Sequence, residues 1–192
     1  DMSRPDEVRA LAELARAEFG KVDIVVNNAG IQHVAPIEDF DDAKWDAVLA
    51  INLSSAFHLV KAVVPGMKAR NYGRIVNISS IGGFNYGGGG AALYSISKAG
   101  VNRLTETLAV EWSRFGINVN AIAPGLFASE MSDGMIERMG DLTRVFPRRR
   151  IGQPENLDST LLYLVSPASE MVTGTIVKVD DAFMAEVGGS LL

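Results

Sequence analysis

Apolar residues along the chain fall into two patterns, short unbroken runs and longer stripes at helical spacing. Val22 to Val26 is a short, nearly all-apolar, β-branched run, the pattern of a parallel strand buried on both faces. Arg74 to Ile78, Ile117 to Ile122 and Thr175 to Val179 predict three further strands. Helical stripes lie between them. Asp42 to Arg70 places Trp45, Val48, Leu49, Asn52, Ala56, Leu59 and Val63 along one side of a long helix. Ala92 to Phe115 predicts a second long helix, and Glu155 to Val165 a shorter one behind Pro154. Near the start, Ser3, Pro5 and Asp6 supply a cap, a first-turn proline and an acid. The helix they open runs through Leu11, Leu14 and Ala15 to Gly20.

Strands alternating with helices imply βαβ crossovers, and so an α/β fold with a parallel sheet and helices on both faces. Such sheets bind ligands beyond the carboxyl ends of their strands. Here those ends carry Asn27-Asn28-Ala29-Gly30, Ser79-Ser80 and Ala123-Pro124-Gly125. Tyr94 and Lys98, four residues apart at the start of a helix, share one face of it. A free phenol has a pKa of about 10, and a nearby ammonium favours the phenolate. Tyr94 could then pass a proton to or from a substrate oxygen, with a serine hydroxyl holding the same oxygen. Each feature also has a plainer reading. Tyr-x-x-x-Lys arises easily by chance, paired serines usually cap a turn, and Asn52 could be a core amide satisfied by its neighbours. Their occurrence together, in one order, outweighs those readings.

Composition narrows the picture. The 192 residues, 47% hydrophobic and 21% charged, suit one soluble globular domain. No unbroken apolar run reaches bilayer-spanning length, and no signal or transit pattern is visible. The expectation is a cytoplasmic protein with no membrane partner. The net charge is -5 and Arg148-Arg149-Arg150 is the one basic cluster, so no nucleic-acid partner is expected. Cysteine is absent, which excludes disulfides and thiolate catalysis. His33 and His58 lack ligand-like spacing, so no metal is expected.

Asn27-Asn28-Ala29-Gly30, Ile51-Asn52-Leu53, Ile75 to Ser80, Tyr94-x-x-x-Lys98 and Asn120-x-x-x-Pro124-Gly125 together resemble the classical short-chain dehydrogenases/reductases, from Asp1 to about Asp181. The resemblance implies a Rossmann-type doubly wound sheet and an NAD- or NADP-dependent oxidoreductase acting on a small secondary alcohol or ketone. By it Tyr94 would be the acid/base, and Lys98 would lower its pKa while binding the nicotinamide ribose. Ser80, rather than Ser79, would orient the substrate oxygen, and Asn52 would hold a relay water. Asn28, Ala29, Gly30, Pro124 and Gly125 would line the cofactor. The backbone of Phe127 and the hydroxyl of Ser129 would meet its carboxamide, and Asp1 would lie beside the adenine. The resemblance further implies a homo-oligomer, a tetramer or dimer, built through the two long helices.

Several positions depart from that family. Its opening strand and glycine-rich phosphate turn do not precede Asp1, so residues 1–192 are expected to form one partial Rossmann-type domain lacking the first βαβαβ half. That stretch alone is expected neither to bind the cofactor usefully nor to catalyse, and in it Val22 to Val26 is expected to become an edge strand with an uncovered apolar face. NAD and NADP stay open, because the discriminating residue lies in that half. The competing reading is a truncated, catalytically silent member acting as an interaction or structural subunit. Gly83 to Gly89 fits a Gly-x-x-x-Gly-x-Gly pattern, but its place in the loop before Tyr94 marks it as a decoy. The family's Asp-Gly-Gly near the C-terminus is here Asp180-Asp181-Ala182. The run around Gln32 resembles the D-3-hydroxybutyrate dehydrogenases of the family, in which that glutamine helps hold the substrate carboxylate. Gly82, Ala91 and Leu126 stand where those enzymes carry histidine, lysine and tryptophan. A neutral ketone or alcohol is therefore expected ahead of hydroxybutyrate.

Overall fold

A computed structural model describes residues 1–86 and 88–186. Four strands, β1 (Ile24–Asn27), β2 (Gly73–Ile78), β3 (Ile117–Pro124) and β4 (Ile176–Val179), form one parallel sheet in that order. Asn77 pairs with Asn27 on one side and Ala121 on the other, so the strand carboxyl ends share one edge of the sheet. The helices are α1 (Pro5–Phe19), α2 (Asp42–Leu49), α3 (Ser55–Arg70), α4 (Ala92–Trp112), α5 (Glu130–Met139), α6 (Asp158–Val165) and the short α7 (Phe183–Glu186).

Both faces of the sheet carry helices. On one, Ala12, Val60, Val63, Met67, Leu108 and Trp112 close over Val25, Ile75 and Val119. On the other, Leu164 packs against Val76 and Ile122. Full burial of a large apolar side chain contributes about 1.5–3 kcal/mol, which makes these two clusters the main source of the fold's stability.

The structure alters several expectations. β1 is not buried on both faces: Val25 is covered, but Ile24 is 47% and Val26 39% exposed. β1 is an edge strand paired with β2, and α6 packs on β2 and β3, which leaves that side of β1 open among the described residues. The rod from Asp42 to Arg70 is broken by a π-helical turn over Ala50–Ser54. Such turns interrupt the α ladder and often mark functional sites; this one carries buried Asn52. The rod is also long and apolar enough to cross a bilayer, which its unbroken apolar runs did not suggest. Its apolar side, however, packs into the core beside α1.

Ser3 does not cap α1. Arg4 occupies that position without a side-chain bond, and Ser3 turns to the Asp1 carboxylate. The Glu155 to Val165 helix opens as a 3-10 turn over Pro154–Leu157. α5 was not expected at all.

Candidate active site

β2 delivers two serines at the sheet edge, and α4 begins beside them. Ser80 Oγ and the Tyr94 ring both border Gly82, which makes the two side chains neighbours. One turn further along α4, Lys98 Nζ stands 5.7 Å from the Tyr94 ring centroid and donates to the Ile78 carbonyl at 2.7 Å. Lys98 is only 4% exposed, and burial pushes its ammonium down to about 8. It stays mostly charged at neutral pH. Burial pushes the Tyr94 phenol above its ordinary value, and the neighbouring Ser80 hydroxyl opposes that rise only in part. The expected lowering of Tyr94 by Lys98 is therefore reversed. Loss of water around the phenol sets this direction, while the ammonium donates to the Ile78 carbonyl.

The adjacent serines differ. Ser79 is buried; its hydroxyl bonds to Asn102 Oδ1 and lies 3.3 Å from the Lys98 carbonyl, fastening β2 to α4. Ser80 Oγ accepts from the Gly82 amide at 3.0 Å, which leaves its proton free for Tyr94 or a substrate. A side chain at position 82 would come within 3.4 Å of Ser80 Oγ and 3.8 Å of the Tyr94 ring, so Gly82 borders the pair.

Asn52 binds the loop after β1 to α4. Its Oδ1 accepts from the Ile31 amide at 2.8 Å, and its Nδ2 donates to the Ile31 carbonyl and to Ser97 Oγ, each at 3.0 Å. Ser97 in turn donates to the Tyr94 carbonyl at 2.7 Å. Both side-chain amide hydrogens thus have protein partners. Gly30 completes this corner: a Cβ there would lie 3.5 Å from Lys98 Nζ and 3.6 Å from Asn52 Oδ1. Asn28 and Ala29 are exposed at the strand end. Behind them Asn27 donates to Asn77, and Asn77 to Thr105 of α4.

The β3 side is built from backbone. The Gly125 amide donates to the Val179 carbonyl at 2.9 Å, and a Cβ at 125 would strike Asp180 Cα at 2.9 Å. Gly152 pairs with the strand after Pro124, donating to Leu126 and accepting from Ala128, while the Phe127 ring covers it. Ser129 caps α5, its Oγ accepting from the Ser132 amide at 3.2 Å. Its hydroxyl oxygen is therefore engaged in capping, a use the sequence did not suggest. Asn120 donates to the Val172 carbonyl and accepts from Thr175, which holds the approach to β4. Asp181 and Ala182 both adopt left-handed backbone, φ 55° and 68°. Glycine takes that conformation freely, whereas other residues incur about 1–3 kcal/mol.

The Asp1 carboxylate closes on Ser3 of its own turn, and Gln32 is half-buried in the loop after β1. His33 packs edge-on against Phe40. Of the glycine-rich pattern, Gly87 lies outside the described residues. Gly88, Gly89 and Gly90 are left-handed, and the Gly90 carbonyl accepts from Ala35 at 3.1 Å, joining this loop to the one after β1. Among the described residues no cluster of metal-ligating side chains occurs. Ser97, Asn102 and Thr105 escaped the sequence reading. Their signal was a polar stripe at helical spacing around Lys98, on a helix that had to be buried.

A family model described as enoyl-(acyl carrier protein) reductase matches residues 1–183. The chain is 36% identical over 199 residues to D-beta-hydroxybutyrate dehydrogenase of Cupriavidus necator, covering 97% of this chain and 77% of that protein. It is 37% identical over 177 residues to 3-oxoacyl-(acyl-carrier-protein) reductase of Thermotoga maritima, covering 91% and 71%. The crystal structure of a gluconate 5-dehydrogenase from Burkholderia cenocepacia, in complex with NADP and tartrate, superposes with a TM-score of 0.91 at 34% identity, covering 96% of this chain and 73% of that one. With a parallel doubly wound sheet, the serine, tyrosine and lysine gathered at its edge, and these similarities, the chain belongs to the short-chain dehydrogenase/reductase family of NAD- or NADP-dependent oxidoreductases.

Proposed function

We propose that the protein interconverts a neutral secondary alcohol and its ketone, with Tyr94 moving the proton. The observation that carries this reading is the placing of Ser80 and Tyr94 around Gly82, beside buried Lys98, at the carboxyl edge of the sheet. A bound nicotinamide supplies the hydride in reduction and accepts it in oxidation. The chain offers room for such a group where Gly30, lacking a side chain, leaves space before Lys98 and Asn52. Lys98 and Tyr94 would hold its ribose, with Asn28, Ala29, Pro124, Gly125, Phe127 and Ser129 around it.

In reduction the Tyr94 O–H bond breaks and its proton passes to the carbonyl oxygen as charge develops there. Ser80 donates to the same oxygen. The raised phenol keeps Tyr94 protonated at neutral pH, the form this direction requires. The Lys98 charge stabilises the phenolate left behind. Asn52 acts by position, tying the loop after β1 to the helix that carries Tyr94.

The neutral substrate follows from Gly82, which borders the Ser80–Tyr94 pair without offering a side-chain donor, and from Ala91 in front of α4. A carboxylate there would lack charge-assisted partners. The alternative, 3-hydroxybutyrate, draws on the Ala35–Gly90 bond, which brings the loop bearing Gln32 against the loop bearing Gly82. We further propose that the chain forms one domain of a cytoplasmic homo-oligomer. Its helical face supports this, since Leu53, Phe57, Gly100 and Leu104 line an open groove between α3 and α4.

The test is a kinetic comparison in the full-length enzyme. Tyr94→Phe should abolish turnover while cofactor affinity survives, and neutral ketones should be reduced at least as well as acetoacetate. Retention of more than a few per cent of activity would remove Tyr94 from the role. An exclusive preference for the hydroxybutyrate pair would reinstate the carboxylate reading.

A further inference from the structure

Three of the four non-glycine residues in left-handed conformation among the described residues gather in one place. They are Arg149 (φ 49°), Asp181 (φ 55°) and Ala182 (φ 68°). The turn at Arg149 sets its two neighbours against one carboxylate. Arg150 reaches both Asp181 oxygens, through Nε at 2.9 Å and Nη2 at 3.2 Å, and Arg148 Nε lies 3.3 Å away. Asp180 fixes the other side, accepting from the Met184 amide at 2.9 Å and packing its Cα beside Gly125. Gly152, two residues beyond Arg150, is zipped to Leu126 and Ala128. Both ends of the segment 126–152 therefore fasten at one point behind the end of β3.

We infer that Asp181 is a positioning residue that clasps Arg148 and Arg150 and so sets the resting position of segment 126–152. The inference rests on the reading of that segment, through Phe127 and Ser129, as a rim of the cofactor and substrate site. Isolated surface ion pairs contribute little. Here, however, two guanidinium groups share one carboxylate that is only 21% exposed, one of them in a two-point fork. Strained backbone on both sides of the contact persists only where its surroundings hold it. Loss of the clasp would let the segment sample positions that a substrate must first reverse, an effect expected in KM rather than in kcat.

The test uses the full-length enzyme with Asp181→Asn, Arg150→Gln and the double variant. Asp181→Asn should raise KM for the carbonyl substrate roughly three- to tenfold, with kcat within about twofold. Amides in 126–152 should exchange with solvent faster, and the double variant should be no worse than Asp181→Asn alone. Unchanged KM and unchanged exchange in the single variants would overturn the clasp, as would effects that multiply in the double. Should Asp181→Asn fail to fold, the exposed Arg150→Gln carries the same test. Hydrogen exchange does not depend on the chemistry. Loosening of 126–152 together with an active Tyr94→Phe enzyme would uphold the clasp and sink the proposed reaction.

Discussion

On the β2 side of the candidate site, Ser79, Lys98, Asn102 and Thr105 are all buried, and their hydrogen bonds cross from strand to helix. On the β3 side, Ser129, Arg148 and Arg150 are exposed, and the segment is held by a helix cap, a backbone zipper and one shared carboxylate. Buried polar networks fix geometry, because an unmade bond in the interior is costly. Exposed contacts open at little cost and can follow a ligand. The groups proposed for proton transfer therefore sit on the rigid side. Phe127 and Ser129, proposed to border the cofactor, sit on the adjustable side.

After Tyr94→Phe, the largest expected effect is at Ser80. Ser80→Ala should lower kcat by about 10² to 10³, the usual loss of one donor to a developing oxyanion. Ser79→Ala should behave in the opposite way. It should leave kcat near wild type and lower stability by about 1–3 kcal/mol, since Asn102 Oδ1 would lose its partner inside the protein. If the two serines exchanged these phenotypes, the division between rigid support and chemistry would be wrong. Denaturant titration beside steady-state kinetics separates them.

A second prediction concerns the buried ammonium. Lys98 is depressed from 10.5 to about 8 in the fold, so between those values the unfolded chain binds the extra proton. Stability should then rise with pH from about 8 toward 10.5, by at most about 3 kcal/mol at 1.36 kcal/mol per unit. The raised Tyr94 phenol works the other way above about 10, where unfolded phenols ionise first. Melting curves of cofactor-free wild type should climb between pH 8 and 9.5 relative to Lys98→Met. Parallel curves would show that Lys98 is not desolvated. The smallest effect is expected at the exposed side: Ser129→Ala should fray α5 by about 1 kcal/mol, the usual value of a cap. Hydrogen exchange would show it in the first turn of α5 and leave α4 untouched.

The rigid side was also the more legible in sequence. Its strands announce themselves as apolar runs, and the Tyr94–Lys98 spacing carries both groups to one helix face regardless of tertiary detail. The direction of the Tyr94 shift was not legible, because spacing shows a nearby charge but not the loss of water around the phenol. α5 was hidden because Gly134 interrupts its pattern and its cap is a serine pair, Ser129 and Ser132. The clasp was hidden more deeply. Asp180-Asp181-Ala182 reads as a departure from glycine, and only the backbone angles show that Asp181 and Ala182 adopt the left-handed conformation glycine takes freely.

The most direct test of the account is a crystal structure of the full-length enzyme with NAD or NADP and an unreactive ketone or alcohol. The account predicts the ligand oxygen about 2.6–3.2 Å from both Ser80 Oγ and Tyr94 Oη, with Ser79 still bonded to Asn102. A ligand oxygen that meets neither hydroxyl, or that meets Ser79 instead, would contradict it.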